Sequence, residues 1–218
     1  MSGNRRSTRL LAAAALLSGG LLLAPAAVAA PLADPVLSLP FATSQNTYSA
    51  GVHSDNGQSG VKNAIDFSPS DGIARSAAAG TVRMQRCSGG DWVTVDHSDG
   101  WRTGYYHLEG IQVQDGQSVA AGTPLGRTGN ALPCGGSSSG AHVHFTLWQL
   151  NAAPRVNADW SGLSYDEVST RVADEVGVPV DGKVLGAWRF RAGAQQYSGR
   201  AERVSDGFSV TLPGRFQV

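Results

Sequence analysis

The chain has 218 residues, with 17 basic and 17 acidic residues and 28 glycines. The first 30 residues carry three arginines and no acid, so the remainder holds 14 basic against 17 acidic residues, a formal balance of −3. This balance disfavours nucleic-acid binding through a broad basic surface, and also electrostatic capture by an anionic membrane or wall polymer. The remaining length suits one domain with a sizeable core, and the scattered glycines suit a β-rich fold.

The N-terminus has the pattern of a secretory signal peptide. Three arginines precede an apolar run at residues 10–23, and a small-residue segment follows at 27–30. Two glycines and a proline interrupt the apolar stretch, which makes a membrane span the poorer interpretation. We therefore predict that residues 1–30 are cleaved and that the mature protein is secreted, extracellular or attached to the cell wall. The Arg5-Arg6 pair leaves both the general and the twin-arginine export routes open.

After the leader, residues 31–45 are predicted to form an extended arm, and residues 46–218 a single domain. Short segments rich in β-branched and aromatic residues follow, separated by turn residues. This pattern predicts strands. The turn Ser98-Asp99-Gly100 indicates a hairpin between two of them. Together they predict a mainly β fold with antiparallel, sequential strands. The predicted strands are residues 64–68, 81–85, 92–97, 101–107, 117–119, 124–128 and 140–148.

One helix is predicted in the C-terminal part. Ser164 lies three residues before Glu167, which is the spacing of a capping box, and valines follow at intervals of four until Gly177. Its apolar stripe is narrow, so we expect the helix to lie on the surface of the sheet. Residues 183–190 and 208–212 are predicted as late strands that close the domain.

The two cysteines, Cys87 and Cys134, are expected to form a disulfide, because an exported protein enters an oxidising compartment. In the chain-entropy model, this closure stabilises the fold by roughly 3 to 4.5 kcal/mol. Metal binding by two thiolates is the poorer alternative, because neither cysteine lies in a C-x-x-C spacing.

Three residues, His53, Asp66 and His144, could hold a metal. His144 lies two residues after His142 on a predicted strand, so the side chains of these two histidines share one face. Asp66 is flanked by Ile and Phe, where a carboxylate is costly to bury unless it is paired or bound to a cation. With His53, from a predicted loop of small residues, Asp66 and His144 would supply two nitrogens and one oxygen, the composition of a catalytic zinc site. Taken singly, each is equally compatible with a solvated histidine or a strand-end acid.

Two further histidines carry weaker signals. His107 ends a strand beside two tyrosines, and by itself it would be a packed or capping residue. His97 lies at the start of the hairpin turn, and we assign it no chemistry.

These residues resemble the lysostaphin-type zinc endopeptidases of the LytM-like group, most closely the β-lytic and staphylolysin branch. Twelve residues separate His53 from Asp66, which is the spacing of that branch rather than the H-x-x-x-D of most of the group. The resemblance covers roughly residues 45–150, and its matching stretches follow one another in the same order as in the family. The matching stretches are residues 51–54, 65–68, 79–83, 100–107, 113–119 and 134–145.

The resemblance implies the antiparallel β fold of these peptidases and one zinc ion held by His53, Asp66 and His144. It makes His107 and His142 the catalytic histidines, one accepting a proton and the other stabilising the oxyanion, with the two roles unassigned. It also pairs the two cysteines, as in the β-lytic branch.

The implied activity is hydrolysis of the peptide part of bacterial peptidoglycan, often beside glycine, by a monomer. The glycine- and serine-rich loop at 135–140 is a candidate groove wall, and Trp101, Tyr105 and Tyr106 are interpreted as core. An inactive LytM-like module that binds cell wall or a partner is the alternative, and the complete set of five site residues favours the enzyme. No function is carried over to residues 157–218.

Overall fold

The computed structural model describes residues 36–58, 60–150 and 159–218, apart from the side chain of Asp99. The predicted signal peptide and the first part of the arm lie outside these residues. The rest of the arm packs into the main core through Leu37, Leu39 and Phe41. Among the described residues, no helix is both long and apolar enough to cross a membrane.

The described residues form fourteen strands and one α-helix. Two other short segments are helical: the 3-10 turn Ser98–Gly100 and the π-helical turn Val172–Val176, which directly follows the α-helix. The strands are β1 Asn46–His53, β2 Ala64–Pro69, β3 Ile73–Arg75, β4 Gly80–Cys87, β5 Gly90–Asp96, β6 Trp101–Tyr106, β7 Ser118–Val119, β8 Pro124–Arg127, β9 Val143–Gln149, β10 Val184–Leu185, β11 Trp188–Ala192, β12 Gly199–Arg203, β13 Ser209–Leu212 and β14 Gly214–Gln217, and the helix α1 is Tyr165–Arg171.

These strands form three sheets, and every pairing between named strands is antiparallel. The large sheet has the order β14-β1-β2-β9-β6-β5-β4-β7, the second has the order β10-β11-β12-β13, and β3 pairs with β8. The prediction of a mainly β, antiparallel fold with one short helix in the C-terminal part is confirmed. The hairpin between β5 and β6 is also as predicted, although a 3-10 turn makes the connection.

The helix begins as predicted. The hydroxyl of Ser164 accepts a hydrogen bond from the backbone N–H of Glu167, and the Glu167 carboxylate accepts one from the backbone N–H of Ser164. This reciprocal pairing satisfies two backbone donors that would otherwise have no partner. Along the predicted valine stripe, Val168 and Val172 are buried.

Two local predictions are wrong. His53 is not in a loop: it is the last residue of β1, and the small residues before it reflect close packing, since a Cβ on Gly51 would lie 2.7 Å from the backbone nitrogen of Ser198. Residues 183–190 are not one strand. Gly186 has a positive φ of 61°, so the chain reverses there, and Leu185 pairs with Trp188 across a tight hairpin.

The central strand β9 is buried on both faces, and this places the candidate site. On one side, Phe145 joins Phe67 and Phe190 in the main core, which links the large sheet to the second sheet. On the other side, Trp148 packs against Trp92 in a smaller cluster that also contains Val168 of α1 and Val172 directly after it. Because side chains alternate along a strand, His144 faces this second side. The aromatic residues Trp101, Tyr105 and Tyr106 are buried, as interpreted.

Candidate metal centre

Strand register brings the three predicted ligands together. Asp66 on β2 lies directly opposite His144 on β9, and His53 at the end of β1 lies opposite Ala64, two residues before Asp66. Residues opposite each other, or two apart on one strand, share a face. All three side chains therefore point to the same side of the sheet, although as many as 91 positions separate them in the chain.

The three ligand atoms converge in a buried place. One carboxylate oxygen of Asp66 lies 3.1 Å from Nε2 of His53 and 3.0 Å from Nδ1 of His144. The three atoms lie within 4.8 Å of one another, and the residues are 1%, 8% and 5% exposed, in the order His53, Asp66 and His144. Three side chains that can each give one donor to a common point suit a cation, because a lone buried carboxylate is costly.

Hydrogen bonds fix which ring nitrogen of each histidine is free to bind. Nδ1 of His53 donates to the carbonyl of Ser54 at 2.7 Å, and its buried Nε2 has no hydrogen-bond donor among the described residues. Nε2 of His144 donates to the Asp55 carboxylate at 2.7 Å, which leaves Nδ1 facing Asp66. Each ring thus turns one nitrogen towards the cluster, Nε2 of His53 and Nδ1 of His144, and the residues present fit a metal of the zinc type.

The ionisation of the cluster agrees with this arrangement. Burial by itself would raise the pKa of Asp66, but the His53 and His144 rings hold it well below its ordinary value. Burial would lower the pKa of His144, but hydrogen bonds to Asp55 and Asp66 raise it to about 10. The two carboxylates thus favour the protonated form of His144, and a cation bound through Nδ1 would have to displace that proton.

The two predicted catalytic histidines lie beside this cluster. His142 and His107 have their ring centroids 4.5 Å apart, and Nε2 of His142 lies 3.7 Å from the Asp66 carboxylate. Nδ1 of His107 bonds the carbonyl of Ala131 at 2.9 Å, and Nδ1 of His142 bonds that of Gly140 at 2.7 Å. In both rings the backbone holds Nδ1 and leaves Nε2 available for a proton.

His107 is held in an uncommon conformation. Its φ is +67°, a left-handed value that non-glycine residues seldom adopt, directly after β6 ends. Burial, together with the neighbouring rings of His144 and His142, lowers the pKa of His107 to about 3. The ring is therefore neutral near pH 7.

An open cavity of about 730 Å³ lies over the cluster. One wall is the glycine- and serine-rich loop, through residues 136–139, as expected of a groove wall. Tyr165 and Tyr197, both from the segment to which no function was carried over, also line the cavity. The ring of Tyr197 stacks on that of His53 at a centroid distance of 4.1 Å, and the hydroxyl of Tyr165 donates to the backbone carbonyl of Asp55 at 3.0 Å.

Sequence reasoning missed Asp55, Tyr165 and Tyr197. Asp55 had a usable signal, because it stands two residues after His53, close enough for a carboxylate to support a nearby ligand. The tyrosines had none, because they lie 21 and 53 positions beyond His144 and reach the site only through the folded C-terminal segment.

Comparison with known proteins agrees with this picture. The family model described as Peptidase family M23 matches residues 60–157. Protease LasA of Pseudomonas aeruginosa is 41% identical over 138 residues, which is 58% of this chain and 32% of LasA. The β-lytic metalloendopeptidase of Lysobacter enzymogenes is 28% identical over 156 residues, which is 62% of this chain and 86% of that protein. The chain thus spans about a third of LasA.

Among solved structures, the deep-sea M23 metalloprotease pseudoalterin superimposes with a TM-score of 0.65 at 26% identity. The match covers 85% of this chain and 100% of pseudoalterin. It therefore extends well beyond residues 60–157, so the fold is shared over most of the chain.

Proposed function

We propose that this chain, which carries a peptidase family M23 domain, is a secreted zinc-dependent endopeptidase that hydrolyses peptide bonds in bacterial peptidoglycan. The observation that carries the proposal is the buried cluster of His53, Asp66 and His144 with a second histidine pair beside it, under an open cavity. We take residues 46–218 as the peptidase domain, acting as a monomer.

In this proposal, His53 would hold zinc through Nε2, His144 through Nδ1 and Asp66 through one carboxylate oxygen. Three protein ligands of this kind are typical of catalytic rather than structural zinc sites. When bound, zinc supplies a Lewis acid for the peptide carbonyl and lowers the pKa of water towards neutrality. Asp55 keeps the His144 ring in the tautomer that presents Nδ1.

His107 and His142 would handle the proton. Each has Nδ1 tied to a backbone carbonyl, so each can accept or donate a proton only at Nε2. One ring would take the proton of the attacking water, and the other would donate a hydrogen bond to the oxyanion that develops on the carbonyl oxygen. General-base catalysis contributes about 10²- to 10⁴-fold, and one oxyanion donor a similar factor.

The proposed bonds lie beside glycine, including those in glycine-containing cross-links. The cavity wall at residues 136–139 consists of one glycine and three serines, and such short side chains leave room for a close approach of substrate backbone. The substrate class itself rests on the resemblance to the lysostaphin-type peptidases and on the LasA and β-lytic relatives.

The test is hydrolysis of purified peptidoglycan and of a glycine-rich peptide by the mature protein, with zinc content measured in parallel. His144→Ala should lose both zinc and activity. His107→Ala and His142→Ala should keep zinc while the rate falls by about 10²- to 10⁴-fold. Lys183→Ala, just before β10 and outside the lining of the cavity, is the control and should retain both.

Two outcomes would contradict the proposal. Equal activity in the chelated and zinc-loaded protein would exclude the metal role. Binding of peptidoglycan without cleavage by the zinc-loaded wild-type protein would favour the inactive wall-binding module instead.

A further inference from the structure

The C-terminal segment has a charge opposite to that of the rest of the mature chain. Residues 181–218 contain six basic and three acidic residues, whereas residues 31–180 contain eight basic and fourteen acidic residues. The overall negative balance therefore conceals a local excess of positive charge. Much of it lies on the second sheet, away from the metal centre.

Alternation along the second sheet separates its apolar and basic side chains. On β11, Trp188 and Phe190 are buried in the main core, so Arg189 and Arg191 lie on the other face. On β12, Ala201 is buried and its neighbours face outwards in the same way. On these two strands the outer face is therefore built from charged residues.

Register pairs these charges in two different ways. Arg189 lies opposite Glu202, and the two form an ion pair at 4.0 Å. Arg191 lies opposite Arg200, and within the part of the chain that the structure describes neither arginine has an ion-pair partner. Like charges directly opposite each other destabilise a sheet, so the second pairing has a cost with no visible compensation.

An open cavity of about 490 Å³ adjoins the unpaired arginines. Arg191 and Arg200 both line it, together with Thr211, which lies opposite Arg200 on β13, and the hairpin loop that starts at Gly193. Nε of Arg191 is buried and has no hydrogen-bond partner among the described residues.

We propose that this cavity binds a phosphate group between Arg191 and Arg200. Guanidinium groups bind phosphate through paired N–H donors, and their charge does not depend on pH in the physiological range. Two opposed cations match a dianionic phosphate, or consecutive phosphates of a polymer, better than a single carboxylate, which one arginine satisfies. The bound anion would remove the repulsion between the arginines.

The phosphate site is separate from the proposed active site. None of the residues lining this cavity lines the cavity over the metal cluster. Phosphate binding can be measured without reference to hydrolysis, but the hairpin loop borders both cavities, since residues 193–195 line this one and Tyr197 lines the other. A phosphate-bearing wall polymer and free phosphate would present the same chemistry to the two arginines.

The experiment is calorimetric titration of the zinc-loaded protein with inorganic phosphate and, separately, with a poly(glycerol phosphate) chain, at constant ionic strength. Arg191→Gln and Arg200→Gln should each weaken binding at least about tenfold, because each removes a charge-assisted contact. Arg189→Gln, which removes an arginine of the same face that already has a partner, should bind like the wild type. Tighter binding of the polymer than of free phosphate would identify a polymer as the source.

A stability measurement supports the titration. Without phosphate, Arg200→Glu should be at least as stable as the wild type, because it converts the repulsive pair into one like Arg189 and Glu202. Phosphate should then no longer raise its melting temperature. Equal phosphate binding by the wild type and both glutamine variants would overturn the proposal, since the anion would then bind elsewhere. Absence of phosphate binding by the wild type would overturn it too.

Discussion

At the scale of single residues, the candidate site depends on which nitrogen of each histidine carries a proton. Four rings lie within a few ångströms, and each has one nitrogen held by a carbonyl or a carboxylate. Three of these partners are backbone carbonyls, which substitution cannot remove. The fourth is the side chain of Asp55, so this residue is the point at which the tautomer can be tested.

We predict that Asp55→Ala weakens zinc binding by about 10- to 100-fold, because the orienting partner of His144 is lost. Asp55→Asn should have a smaller effect, since its amide oxygen can still accept the hydrogen bond. Zinc affinity would be measured by competition with a chromophoric chelator. Asp166→Asn, in the wall of the same cavity, is the control. An unchanged affinity in Asp55→Ala would show that Asp55 does not orient the ligand.

His97 shows a structural role for a histidine outside the site. Its Nδ1 bonds the carbonyl of Ala79 at 2.9 Å and its Nε2 bonds the hydroxyl of Thr103 at 2.8 Å, so the ring ties the end of β5 to neighbouring segments. Burial lowers the pKa of His97 below its ordinary value of 6.5, and the hydrogen bond to Ala79 and the charge of Asp96 only partly offset this.

The sign of the pH effect follows from that shift. The unfolded chain binds the proton more readily than the folded protein, so the contribution of His97 to stability is present above pH 6.5 and declines as the pH falls below it. The slope is at most about 1.4 kcal/mol per pH unit. We predict that His97→Gln is less stable than the wild type at neutral pH and that the gap narrows in acid. Urea unfolding at several pH values would measure it, and a constant gap would contradict the prediction.

At the scale of elements, the hairpin loop between β11 and β12 connects the second sheet to the metal centre. Nζ of Lys62 donates to three consecutive carbonyls of this loop, those of residues 193–195, at 2.6, 3.1 and 2.8 Å. The loop then places Gln196 as an acceptor for the N–H of Ser54 and stacks Tyr197 on His53. Tyr197 has a φ of +53°, so its position is maintained by these contacts rather than by local preference.

We predict that Lys62→Met loosens the loop and lowers the rate of hydrolysis by about tenfold, while zinc content and the rest of the fold are kept. Three charge-assisted hydrogen bonds are lost, each worth about 1.5 to 3 kcal/mol, partly replaced by water. Hydrogen exchange should become faster in residues 193–198. Lys183→Met, a lysine elsewhere on the molecule, controls for loss of positive charge. Unchanged exchange in the loop would refute the role of Lys62.

At the scale of the whole molecule, the disulfide joins two parts of the chain that border the site. Cys87 ends β4, and Cys134 opens the loop that forms the cavity wall before His142. Their Cα atoms lie 4.9 Å apart across a separation of 47 residues. Tyr106 strengthens the same junction, since its hydroxyl accepts from the backbone N–H of Cys134 at 2.8 Å.

We predict that replacing both cysteines with alanine lowers the free energy of unfolding by about 2 to 4 kcal/mol, mainly because the unfolded chain gains freedom. Denaturant unfolding of the variant and the wild type would measure the difference. Because the loop also loses its anchor, proteolytic cleavage at residues 135–140 should become faster. Equal stability of the two proteins would show that the closed loop contributes nothing to the fold.

The sequence by itself determined the elements and the chemistry of the site. Alternation predicted most strands, the capping box predicted the start of α1, and the resemblance indicated the five site residues, because these signals lie in short stretches or in fixed motifs. It did not identify the hairpin at Gly186 or the end of β1 at His53. There, a positive φ and close packing against a distant loop decide the structure.

Only the tertiary structure decided which residues meet. Asp66 and His144 are 78 positions apart, and their pairing depends on strand register, which is set by the packing of the complete core. The same holds for Tyr197 over His53 and for Arg191 opposite Arg200. A local pattern predicts which face of a strand a side chain takes. Contacts across strands and loops, in contrast, follow from burying all apolar surfaces at once, and no short stretch of sequence contains that information.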